Sequence, residues 1–157
     1  MENNSALATG QRAAITALSI CPKKEDHAGL RSLISTSDWP LCRGFRWALR
    51  STDSLDKALP VLVSGGIPVL LCERDLARGT WKDVVEALHA LPDPPYVIVT
   101  SKHADDRLWV EALNLGAYDV LQTPFNPSEL TRTLSLAWLR WTDRRKPMVA
   151  QAARSVA

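Results

Sequence analysis

Two short runs decide most of what this chain can become. Residues 67–73 read IPVLLCE and residues 93–101 read DPPYVIVTS, each apolar at nearly every position once its strand begins. A strand half-exposed to water alternates apolar and polar residues. A run without alternation suits a strand covered on both faces, the condition of a central strand in a parallel sheet. Between the two runs, residues 80–91 place Val84, Val85, Leu88 and Leu91 at helical spacing. Strand, crossover helix and parallel strand then form a right-handed unit, which sets helices against the faces of the sheet.

The same alternation is read on either side of this unit. Ile15–Ile20 reads as a strand ending at Cys21-Pro22, residues 42–51 as a strand polar enough for a sheet edge, and residues 118–125 (YDVLQTPF) as a fifth strand. A helix follows the first strand, with Asp26 as its expected cap and Leu30, Leu33 and Ile34 on one face. Residues 51–66 are helical in pattern, with Pro60 expected to kink or shorten the element. Residues 104–117 form a helix opened by Asp105 or Asp106 and closed at Gly116. Asn126-Pro127-Ser128-Glu129 spells a last helix start: cap, proline at the first position, glutamate placed for a capping box.

The chain has 157 residues, which is one domain with a proper core. We expect that domain over residues 14–142, an N-terminal tail over 1–13 and a basic C-terminal tail over 143–157. In the C-terminal tail, Arg144-Arg145-Lys146 reads as solvated charge. The formal net charge of +2 gives no electrostatic argument for nucleic acid as a partner. No apolar stretch nears the roughly 20 residues that span a bilayer. The opening MENNSALATGQR has neither the basic nor the apolar part of a signal peptide, so a cytoplasmic protein is expected. Cys21, Cys42 and Cys72 lack metal-ligand spacing and read as reduced, buried thiols.

Residues 112–130, ALNLGAYDVLQTPFNPSEL, are similar at nearly every step to the segment ALxxGAxDYLxKPFxPxEL of the response-regulator receiver family, the CheY-like domains of two-component signalling. VIVTS resembles the family's fourth strand with Thr or Ser at its tip. ERDLARGTW resembles the shorter form of the acceptor loop, DxxLPDGxG, with Leu76 and Gly79 in place. The resemblance covers about Ala14 to Trp141. It implies a doubly wound, flavodoxin-like α/β fold with five parallel strands in the order 2-1-3-4-5.

The family's chemistry rests on five residues. Two acidic residues after the first strand and the acceptor aspartate at the tip of the third hold magnesium. A Ser or Thr at the tip of the fourth strand and a Lys at the tip of the fifth bind the phosphoryl oxygens. Bringing a phosphoryl group to a carboxylate gathers negative charge, so a divalent cation and an ammonium must offset it. This sequence departs at four of the five positions. The acidic pair aligns with Cys21-Pro22 or Pro22-Lys23, the acceptor position is Glu73, and the lysine position is Thr123; Thr100 alone matches. The aromatic switch position is Val120, with Tyr118 two residues upstream.

The resemblance therefore implies a stand-alone receiver that has lost its magnesium site. It would act as a phosphorylation-independent interaction module in bacterial phosphorelay signalling, with no cofactor, no metal and no enzymatic activity. Glu73 is then either a built-in mimic of the phosphorylated acceptor or a relic carboxylate in a polar rim. Lys23 or Lys24 is expected to stand in for the lost cation, by pairing with Glu73 directly or through water; the competing picture leaves both lysines solvated and bonds Glu73 to Thr100 or to loop amides. Two alternatives remain: a working receiver with unconventional metal ligands, with Asp75 as substitute acceptor or with Glu25 and Asp26 swung toward the pocket, and an unrecognised enzyme on the same fold using Cys21 or His103. On the last helix, Trp138 and Trp141 continue the stripe of Leu130, Leu134 and Ala137 and read as core or core rim. Leu136 and Leu139 fall off that stripe, and with Trp109 they are the candidate partner surface. The partner is expected to be a histidine kinase or other signalling protein, or a second copy bound through the last two helices.

Overall fold

The computed structural model describes residues 12–156, with side chains as far as 146; most of the expected N-terminal tail, residues 1–11, lies outside the described residues. The elements alternate along the chain: β1 (Ala13–Ile20), α1 (Lys24–Thr36), a 3-10 turn (Pro40–Cys42), β2 (Phe45–Thr52), α2 (Leu55–Ser64), β3 (Val69–Glu73), α3 (Trp81–Leu88), β4 (Tyr96–Ser101), α4 (Asp106–Asn114), β5 (Asp119–Gln122) and α5 (Pro127–Val156). The strands form one parallel sheet in the order β2-β1-β3-β4-β5, as expected.

Two apolar layers cover this sheet. On one face Ala58 and Leu62 of α2, Val84, Val85 and Leu88 of α3, and Leu108 and Ala112 of α4 pack with Leu18, Leu70 and Val99. On the other, Leu30 and Ile34 of α1 and Leu130, Leu134 and Ala137 of α5 pack with Ala17, Leu71 and Ile98. Strand residues thus alternate between two buried faces, which is why β3 and β4 show no polar alternation. Trp141 is buried and Trp138 half-buried against Phe45, with ring centroids 4.8 Å apart, in keeping with the core reading of both.

Local chemistry sets the helix starts. The Asp105 carboxylate accepts from the Leu108 N–H at 2.9 Å, and the Asn126 side chain accepts from the Glu129 N–H at 3.1 Å. At α3, the Asp83 carboxylate reaches back to the Thr80 N–H at 2.8 Å. Gly79 stands against that carboxylate with φ of +81°, so a side chain there would meet both the left-handed backbone and the Asp83 oxygen.

Four expectations need correction. Asp26 does not cap α1: the helix begins at Lys24, with Lys23 at the cap position and no side-chain cap bond, so Asp26 sits within the first turn. Pro60 neither ends nor divides α2, which runs through it to Ser64; the ring faces water while Ala58 and Leu62 stay buried. The fifth strand stops at Gln122, short of Pro124, which has no N–H for a ladder. The segment after Thr142 is helical as far as Val156, and Arg144 and Arg145 are not simply solvated. Both pair with Asp93, at 3.0 and 3.2 Å. Arg144 also donates to the Pro94 carbonyl and lies over the Tyr96 ring, while Arg145 lies over Trp141. Lys146, which pairs with Asp143, is exposed as expected.

Candidate functional site

Parallel register brings the tips of β1, β3, β4 and β5 to one edge of the sheet, where open α/β folds place their ligands. Glu73 is in register with Thr100, and Cys72 with Ile20, so Cys21 follows directly beside Glu73. The loop after β5 is tied to β4 by the Thr123 N–H, which donates to the Ser101 carbonyl at 3.0 Å. A cleft of about 200 Å³ opens among these tips, lined by Cys21, Pro22, Lys23, Asp26, Glu73 and Thr123, with Asp75 and His103 on its rim. Thr100 stands behind Glu73, its hydroxyl donating to Glu73 Oε2 at 3.0 Å. Every pocket residue named from the sequence is therefore in one place.

The expected ion pair is not. No Lys23 or Lys24 ammonium lies within 4.0 Å of the Glu73 carboxylate; among the described residues that carboxylate is held by Thr100. Lys24 faces a different hollow altogether. The loop that follows Glu73 is closed by its own backbone. The Leu76 N–H donates to the Gly79 carbonyl at 3.2 Å, and the Trp81 N–H to the Arg74 carbonyl at 3.0 Å.

Burial pushes the Glu73 carboxyl above its ordinary value, against the Thr100 hydrogen bond; Asp26 and Asp75 add to the rise and Lys23 opposes it. The negative charge is thus under-compensated in the fold. Burial likewise raises the Cys21 thiol, with Glu73 and Asp26 adding to it, and raises Cys72 far more strongly. Neither is a ready thiolate. Cys21 Sγ points to Asp26 Oδ2 at 3.7 Å rather than to a base that would activate it. His103 overhangs the rim, with its backbone N–H on Ser101 Oγ at 3.1 Å.

Asp26 is read from the sequence first as a helix cap and second as a residue able to reach the pocket; the structure puts it in the first turn of α1, on the cleft. Its only sequence signal was a pair of acids, Glu25-Asp26, at a helix start, which the helix dipole favours in any first turn. Among the described residues, no three of His, Cys, Asp or Glu converge closely enough to hold a metal ion.

Glu73 gives a stability prediction with a definite sign. Its folded-state pKa is raised, so its contribution is fully present below the ordinary value of 4.5 and is lost as pH rises through the raised value. Glu73→Gln keeps an acceptor for Thr100 and removes the charge. We expect its stability relative to wild type to be more favourable at pH 7 than below pH 4.5. Urea unfolding at both pH values measures it, and a difference independent of pH would show that the charge is not penalised. Thr100→Val, which leaves the carboxylate without its donor, should cost about 1–2 kcal/mol at pH 7.

The candidate partner surface lies around β5. Trp109 on α4 is 47% exposed, and Leu136 and Leu139 on α5 are 44% and 36% exposed. Val110, Leu113 and Leu115 add exposed apolar area that sequence spacing had not singled out.

No protein-family model and no curated protein sequence matches the chain. Solved structures do. The signal receiver domain of an HD domain-containing protein from Pseudomonas fluorescens Pf-5 superposes with a TM-score of 0.71 at 20% identity, over 90% of this chain and 98% of that one. A beryllofluoride-activated NtrC4 receiver domain dimer gives 0.67 at 19% identity, over 80% and 98%. A CheY-like response regulator receiver domain protein from Methanospirillum hungatei JF-1 gives 0.66 at 14% identity, over 84% and 99%. The fold is that of the response-regulator receiver domains.

Proposed function

We propose that this receiver-fold chain works as a degenerate receiver: a non-enzymatic module of two-component, phosphorelay-type signalling that acts by binding protein and takes up no phosphoryl group. The observation that carries the reading is the state of the acceptor position. Glu73 is hydrogen-bonded to Thr100, the one family residue retained, while the lysine position holds uncharged Thr123. Magnesium takes near-octahedral oxygen ligation, and among the described residues no three acidic, histidine or cysteine side chains converge to supply it. The exposed residues Trp109, Leu136 and Leu139 support binding through α4, β5 and α5, with a histidine kinase, another signalling protein or a second copy of the chain as the partner. One of the structural neighbours is itself described as a receiver domain dimer. A cytoplasmic location accords with this reading, and among the described residues no helix is long and apolar enough to cross a membrane.

Asp26 favours one other reading. Its carboxylate lines the same cleft as Glu73 and Asp75, so a working receiver with unconventional ligands is the alternative. The two separate in one experiment: incubation with magnesium and a small acyl phosphate donor, followed by intact-protein mass spectrometry. We expect no phosphoryl mass increment and no saturable tryptophan fluorescence response to millimolar magnesium. An increment lost in Glu73→Gln or Asp26→Asn establishes the alternative.

A further inference from the structure

β2 ends the strand order: it pairs with β1 along all eight of its residues and, among the described residues, with no other strand. The Cys21 N–H donates to the Thr52 carbonyl at 3.1 Å, which fixes the phase of that pairing. Main-chain groups of successive residues point to opposite sides of a strand, so Arg46, Ala48, Arg50 and Thr52 turn theirs to β1. Phe45, Trp47, Leu49 and Ser51 turn theirs outward, where among the described residues they meet no backbone partner. A free row of donors and acceptors is the feature that an extended segment pairs with.

The side chains of this edge supply an independent observation. Trp47 and Leu49 pack into the layer of α1 and α5, so Arg46, Ala48 and Arg50 share the opposite face of the sheet. Both arginines are exposed, as is Arg43 just before the strand. Among the described residues, no carboxylate lies within 4.0 Å of any of the three. On the tryptophan face Phe45 packs on Trp138 yet stays 36% exposed, and Leu41, in the 3-10 turn before the strand, is 50% exposed. An edge guarded only against aggregation favours lysine. Arginine beside an exposed phenylalanine is the composition of interface centres, where lysine is depleted.

We propose that the free edge of β2 docks an extended acidic segment of another protein, which adds to the sheet as a further strand. Alternation sets the chemistry of that segment: acidic residues face Arg46 and Arg50, and apolar residues between them lie on the side of Phe45. Charge also excludes a second copy of the chain. Two β2 edges joined about a twofold axis at Ala48 would set Arg46 opposite Arg50 twice over, and like charges directly opposite are destabilising. The arginines that deter a like edge admit an acidic one. This surface is separate from the face around β5, which lies at the other end of the strand order.

The test is an NMR titration of the full chain with an end-blocked peptide of eight residues that alternates glutamate and valine. Three controls accompany it: the same peptide with every amide N-methylated, a peptide with lysine in place of glutamate, and an oligothymidylate. We expect saturable shifts centred on the amides of Phe45 to Thr52, and exchange of the Trp47 and Leu49 amides slowed about tenfold or more in the complex. The methylated and lysine peptides should not saturate. Arg46→Gln combined with Arg50→Gln, both at exposed positions, should weaken binding about tenfold, the size of two exposed charge contacts, with an unchanged thermal melt. Absence of saturation by the glutamate peptide overturns the proposal. So does equal binding of the methylated peptide, unchanged binding in the double variant, or shifts centred on Trp109 and Leu136. Tighter binding of the oligothymidylate at the same amides would assign the edge to nucleic acid instead, and concentration-dependent shifts there without peptide would assign it to a second copy.

Discussion

Trp81→Ala is expected to destabilise the fold by about 3–5 kcal/mol, the usual cost of emptying a buried indole site. Trp81 is 2% exposed and is the largest of the fully buried side chains, set at the first residue of α3 among Leu18, Leu70, Val84 and Leu108. Domains of this kind hold only about 5–15 kcal/mol in all, so the loss is a large share of the total. Urea unfolding should show a lower midpoint with an unchanged slope. The effect extends to the acceptor loop. The Trp81 N–H closes that loop on the Arg74 carbonyl, one residue past Glu73. Amide hydrogen exchange at Trp81 and Leu76 should therefore quicken more than exchange in β1. A loss below about 1 kcal/mol, the scale of an ordinary substitution, would deny Trp81 this role.

Leu136→Asp combined with Leu139→Asp should abolish association through the α5 face. Two apolar anchors at the centre of an interface contribute roughly 2 kcal/mol each, so losing both weakens binding by about 1,000-fold. Because both side chains are already exposed, the fold itself should change by no more than about 0.5 kcal/mol per site. Sedimentation velocity across a concentration series reads the association, and a thermal melt reads the fold. A wild-type chain that self-associates and a double variant that stays monomeric with an unchanged melt are the expected pair. Equal association in both proteins would move the interface away from α5.

The strands were legible because burial on both faces leaves a plain trace: IPVLLCE and PYVIVTS have no polar alternation, and the helices between them repeat at 3.6 residues; their order came from the resemblance to receiver domains. The composition of the acceptor pocket was legible through the resemblance to receiver domains, and strand tips in register do carry Cys21, Glu73, Thr100 and Thr123 to one edge. What failed depended on distances between loops. Asp26 was read as a cap because acids favour that position, yet the helix starts at Lys24 and carries Asp26 into the cleft. The direct Lys23–Glu73 pair was inferred from neighbouring strands, but Thr100 in the adjacent strand offered the carboxylate a nearer partner. The helix beyond Thr142 was missed because DRRKP combines a charge run with a helix-breaking proline. The partner of that charge run, Asp93, lies about fifty residues earlier in the chain.

That partner gives α5 a mechanical character. The helix starts beside Thr123 at the cleft end of the sheet, and eighteen residues on, at Arg144 and Arg145, it is gripped by Asp93 in the loop before β4. Leu136 stands near the middle, roughly 14 Å of helix rise from the first turn and roughly 12 Å from the grip. Before the grip, Leu130, Leu134 and Ala137 are fully buried against the sheet, so the helix is held along that whole length and not at a single point. The Asp93 ion pairs therefore fasten the stretch of α5 that follows the packed stripe, at the end of the sheet away from Glu73.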